Sequence, residues 1–117
     1  MNLQLEQTRY EITTWLRALE YQQQENVYMK THIAEVVKNN VTKYALCQLE
    51  HYQNLFLDKD AVIALLRCDI LHLLNQLKVD DVQIRVNSLR IDIQKMEQDF
   101  NLLRIGFNEY MQMMVSS

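Results

Sequence analysis

The sequence predicts an all-α protein, an elongated antiparallel bundle of three long helices over about 4–39, 42–78 and 80–115. Three observations carry that expectation. The 117 residues include no proline and one glycine, which leaves little from which to build the hairpin turns of a β-sandwich or barrel. Apolar residues recur at steps of four and three through nearly the whole chain, the period of a helix seam packed along its length. The stretches that keep this period are matched in length and separated by short polar breaks, so neighbours should run antiparallel. A chain of this size makes one domain, 1–117.

In the first stretch, Leu5, Thr8, Ile12, Trp15, Leu19, Gln22, Asn26, Met29, Ile33 and Val36 step along one face. Trp15, with Ile12 and Leu16, is the expected core anchor. The polar run Glu20–Asn26 consists mostly of good helix formers, so it reads as a polar layer or a bend within the helix. Gln22 and Asn26 fall on the seam, where a polar residue fixes register or oligomeric state at some cost in stability. Tyr21 and Tyr28, seven apart, are placed on the outer face. The break comes at Asn39-Asn40, because asparagine tolerates the left-handed conformation that ends helices, and Asn40 or Thr42 caps the second helix.

The second stretch steps through Ala45, Leu49, Tyr52, Phe56, Lys59, Ile63, Leu66, Ile70, Leu73 and Leu77. Lys59 interrupts the pattern within Asp58-Lys59-Asp60. The phase of the stripe survives across that triplet, and a loop has no reason to preserve it, so one continuous helix is expected. The alternative is a four-helix up-and-down bundle with a break near Asn26 or Asp58.

The third stretch is the most regular. Val82, Val86, Leu89, Ile93, Met96, Phe100, Leu103, Phe107, Tyr110 and Met114 are ten apolar residues in ten. Asp80 precedes them with Gln83 three residues on, a capping-box pattern. Gly106 lies inside this helix and costs about 1 kcal/mol against alanine, which points to close approach of another backbone. Met111, Met113 and Met114 suit a loosely packed bundle end, and Ser116-Ser117 a frayed one.

The bulk numbers narrow the function. Net charge is −3 and evenly spread, so no basic stripe exists for nucleic acid and no basic amphipathic face for a membrane surface. Apolar runs are far shorter than the ~20 residues of a span. The start lacks a charged, then continuously apolar, leader, so a cytoplasmic protein is expected. Cys47 and Cys68 share one helix about 30 Å apart at about 1.5 Å per residue, too far for a disulfide. They are expected as reduced, buried or half-buried small residues.

Chemistry is sparse. One glycine permits neither a phosphate loop nor a nucleophile elbow, and the pairs Cys47–His51 and Cys68–His72 lack any orienting group. No catalytic residue, cofactor or metal is assigned. The nearest approach to a metal site is Asp69-x-x-His72, with His32 and Glu35 in the reverse order. His32, His51 and His72 all fall beside the seams, where their tips reach solvent.

What remains is an apolar surplus. From Ala61 to Leu77 a bundle helix needs about seven apolar residues in 17, and twelve are present. The extra ones form a row, Ala61, Leu65, Cys68 and Leu71, and the third helix adds Ile84, Ile91 and Ile105 off its seam. Either the middle helix is more enclosed than in a three-helix bundle, or these rows form an interface. The expectation is a small non-enzymatic interaction module that self-associates, most simply as a dimer, and binds a protein partner. Leu65, Leu71, Ile84, Ile91 and Ile105 are its interface residues. A metal-binding bundle using Asp69, His72, Glu35 and His32 is the alternative.

Overall fold

A computed structural model describes residues 3–77 and 82–116. These form three helices, α1 (Leu3–Val37), α2 (Lys43–Leu74) and α3 (Val82–Ser116), with no strand among the described residues. Asn26 and Asp58 lie well inside α1 and α2, so neither rod is split and the four-helix alternative is not adopted. The particle measures 61 × 20 × 18 Å, the proportions of rods about 50 Å long laid side by side.

The ends of the helices differ from expectation in two places. α1 stops at Val37, two residues early, and its last turn closes by Asn39 N–H donating to Val36 O at 3.1 Å. No described residue other than glycine takes a positive φ, so asparagine's left-handed tolerance is not what ends this helix. Thr42 is the N-cap of α2, its hydroxyl accepting from Ala45 N–H at 3.1 Å, which satisfies one of the orphan donors of the first turn. α2 ends at Leu74 rather than near 78, where Asn75 caps it and Gln76 N–H donates to Leu73 O at 2.9 Å. That tighter i→i+3 bond closes the helix while Leu77 stays buried beyond it. The expected Asp80 cap and the final serine lie outside the described residues.

Cross-helix contacts set the topology. Asn26 of α1 meets Phe56 and Asp60 of α2, while Tyr52 of α2 and Gln76 just past its end meet Gly106 and Arg85 of α3. Both pairs run antiparallel. α1 and α3 are therefore parallel, as the constant offset in Gln4–Gln83 and Glu11–Arg90 shows. α2 packs closely on both neighbours, and α1 and α3 touch least.

Every seam position expected in α1 and α2 is buried or half-buried, Thr8, Val36 and Lys59 included, and the α3 seam is equally enclosed. Burial falls into two clusters. The larger joins Ile12, Trp15 and Leu19 to Ile63–Leu77 and Val82–Met96; the smaller joins Met29 and Ile33 to Leu49, Phe56, Phe107 and Met111. Met111 is thus core, although the methionine cluster pointed to a loose end. In the smaller cluster the Phe56 and Phe107 rings meet edge to face, 5.2 Å apart, and Tyr52 joins Phe107 at 5.3 Å.

Gly106 faces no neighbouring backbone. A Cβ there would meet only the Tyr52 hydroxyl, at 3.8 Å, which is ordinary contact. That hydroxyl donates to Gly106 O at 3.3 Å. Gly106→Ala should therefore raise stability by about 0.5–1 kcal/mol, seen as a rise of a few degrees in a thermal melt.

The thin α1–α3 seam is tied by Arg90, whose Nε and Nη2 donate to the two carboxylate oxygens of Glu11 at 2.8 and 2.6 Å. The Arg90 hydrogen bonds hold the Glu11 carboxyl below its usual range. A lowered folded value means the pair stabilises at neutral pH and loses its effect as acid protonates the carboxylate. Both side chains are about one-third exposed, so Glu11→Gln should cost only about 0.5 kcal/mol at neutral pH. In chemical denaturation that difference should shrink as the pH falls through the lowered titration of the folded carboxyl.

Candidate interaction surface and buried polar layer

Between the two apolar clusters the core is polar. Gln22 and Asn26 are the buried polar residues of α1, with Asn26 wholly enclosed. The Asn26 amide nitrogen donates to Phe56 O at 2.8 Å and also to Asp60 Oδ1. Lys30, one turn further along α1, donates to the other oxygen of Asp60. The expected polar layer is thus a cross-link between α1 and α2 made by three side chains and one carbonyl. Its balance is incomplete: Gln22 Oε1, Asn26 Oδ1 and Gln53 Oε1 are buried and accept no hydrogen bond. A buried acceptor without a donor costs about 1–3 kcal/mol.

On the outside, the five expected interface residues are all exposed: Leu65 64%, Leu71 43%, Ile84 73%, Ile91 65% and Ile105 44%. They fall in two rows, one on each helix. Leu65 and Leu71 lie on the side of α2 turned away from the Ile63–Leu66–Ile70 seam. Ile84, Ile91 and Ile105, at multiples of seven, lie on the side of α3 turned away from its own seam.

The α2 row is longer than the row expected from the sequence. Leu57 is 47% exposed, and Ala61, Ala64, Cys68 and Leu71 are exposed as well. Leu57, Ala61, Ala64, Cys68 and Leu71 step by four, three, four and three, a second seam about 21 Å long on the back of the helix. The Asp58-Lys59-Asp60 triplet separates Leu57 from the apolar run in sequence, yet on the helix Leu57 sits one turn before Ala61. Leu102 of α3, 68% exposed, similarly extends the isoleucine row.

Cys47 and Cys68 are free and exposed, not buried or half-buried as expected. The reason for Cys68 is its place on the outer seam. The carboxylate–histidine pairs are far apart. His32 is half-buried with its ring edge-on to Phe107, 6.3 Å away, in the cluster that contains Phe56. Asp69 stands thirteen residues beyond Phe56 on α2, about 20 Å along the rod. There Asp69 and His72 line a groove of about 250 Å³ with Ser88, Asp92 and the guanidinium of Arg85. No group of three or more His, Cys, Asp or Glu suited to a metal occurs among the described residues. Tyr21 and Tyr28 are exposed as expected, Tyr21 donating to Glu25 at 2.7 Å, which pushes its phenol up. Burial, then Tyr44 and Tyr52, raises Tyr110.

No helix is long and apolar enough to cross a membrane among the described residues. The chain matches no protein-family model, no curated protein and no solved structure.

Gln22→Leu removes one orphaned acceptor and adds apolar volume between the two clusters. It should raise stability by about 1 kcal/mol in urea denaturation. A loss of stability would mean that the Gln22 oxygen is satisfied in solution.

Proposed function

We propose that this protein is a small, non-enzymatic helical interaction module that self-associates, as a dimer, and binds a protein partner. The observation that carries the reading is the outer seam of α2. The three helices already enclose a full inner seam apiece, and α2 still presents a second apolar line to solvent. Burying one large apolar side chain contributes about 1.5–3 kcal/mol, so covering Leu57, Leu65 and Leu71 together is a substantial drive for association. The isoleucine row of α3 gives the module a second, separate face on which to hold a different protein. Two exposed free thiols suit a reducing compartment, and we place the protein in the cytoplasm.

Light scattering over a concentration series tests the reading. A mass approaching twice 14.0 kDa as concentration rises supports it. A single 14.0 kDa species at millimolar concentration opposes it. Leu65→Glu with Leu71→Glu should return the dimer to monomer with unchanged helicity by circular dichroism, because both side chains are outside the core. If the dimer persists, the association surface lies elsewhere.

A further inference from the structure

We infer that the partner on the outer face of α2 is a second copy of this chain, its α2 laid antiparallel across a twofold axis near Ala64. Leu57 then faces the partner's Leu71, and Ala61 faces the partner's Cys68. This rests on the self-association proposed above and specifies how it is made.

A twofold contact presents the same patch from both subunits, so an antiparallel pair of helices needs a stripe that reads alike in both directions. The outer seam has that property. Leu57 lies seven residues before Ala64 and Leu71 seven after. Between the two leucines stand only small residues, Ala61, Ala64 and Cys68, all exposed. Small residues at the centre let the two backbones approach, and the leucines close the ends.

Charge selects the orientation. Asp60 and Arg67, seven apart, lie on the flank of the stripe beside α1, where Arg67 lines a groove with Gln23 and Val27. In the antiparallel arrangement Arg67 comes within about one residue, ~1.5 Å along the axis, of the level of the partner's Asp60, and symmetry repeats the pair. Asp60 is bonded to Lys30 and Asn26, but its side chain stays 31% exposed and keeps lone pairs free. A parallel pair would turn this flank toward the partner's opposite flank, with Arg67 toward the partner's His72 and Asp60 toward the partner's Leu65, and would lose the pair. The opposite flank, with Asp58, Asp69 and His72, supplies no comparable pair, so the Asp60–Arg67 flank decides.

Disulfide trapping of the full chain tests this in a background of Cys47→Ser and Cys68→Ser. Ala64→Cys should give a covalent dimer under mild oxidation, since residues beside the axis come within the ~7 Å Cα separation a disulfide allows. Leu57→Cys alone should not, because its two copies stand about 21 Å apart along the axis, whereas Leu57→Cys with Leu71→Cys should. Trapping by Leu57→Cys alone as efficient as by Ala64→Cys would overturn the antiparallel arrangement. A dimer in light scattering that Ala64→Cys fails to trap would place the contact elsewhere and leave self-association standing. A monomer at every concentration would remove both.

Discussion

The buried contact of Asn26 with Phe56 O and Asp60 is the constraint on which the rest of this structure depends. α2 carries two apolar seams on nearly opposite sides, Leu49–Phe56–Ile63–Leu66–Ile70–Leu73 and Leu57–Ala61–Ala64–Cys68–Leu71. Apolar burial is non-directional and does not by itself decide which of them turns toward α1. A hydrogen bond does decide, because an amide enclosed among apolar side chains and left unpaired costs several times what a paired one contributes. Asn26 finds its partners only when the Phe56 and Asp60 side of α2 faces inward. Lys30, closing on the same carboxylate, holds that face from one turn further along.

The two cores and the exposed surface are consequences of that choice. The polar layer divides the interior into a long aliphatic cluster toward the α2–α3 connection and a shorter aromatic and methionine cluster toward the α1–α2 turn. It also leaves the smaller-residue seam of α2 outside. The arrangement gives up stability for direction: three buried amide oxygens accept no hydrogen bond, where leucines would have packed without that cost. Such a layer is favoured where one register must be kept and an alternative of similar apolar content must be refused. α1 and α3, held together at one end by the Arg90–Glu11 pair, depend on α2 for most of their burial.

Much of the fold is legible in the spacing of apolar residues, because a four-three step over thirty residues admits one secondary structure. The continuity of α2 through Asp58-Lys59-Asp60 can be read from the unbroken phase, and the polar layer from Gln22 and Asn26 standing on a seam. The partners of that layer cannot be read. Asp60 lies beside its own seam, and only the stagger of α1 against α2 brings it to Asn26. α1 and α2 end two and four residues before the bounds expected at 39 and 78, and Asn75 closes α2 by local backbone bonding that no residue pattern announces. Gly106 points to a backbone neighbour, while the neighbour is the Tyr52 side chain, since glycine marks the absence of a side chain and not what lies opposite. The interface rows are legible as surplus apolar residues. How they sit relative to one another depends on the angle between helices, which single-helix periodicity does not contain.

The most direct test removes the polar choice and asks whether α2 keeps its face. The variant Asn26→Leu with Asp60→Leu should stay helical, and its amide NMR spectrum in dilute solution should show more than one set of signals along α2. One set would belong to each seam turned inward, against a single set in the parent protein. A single sharp set in the variant, with Phe56 still packed on Phe107 and Cys68 still open to thiol reagents, would show that apolar packing alone orients α2.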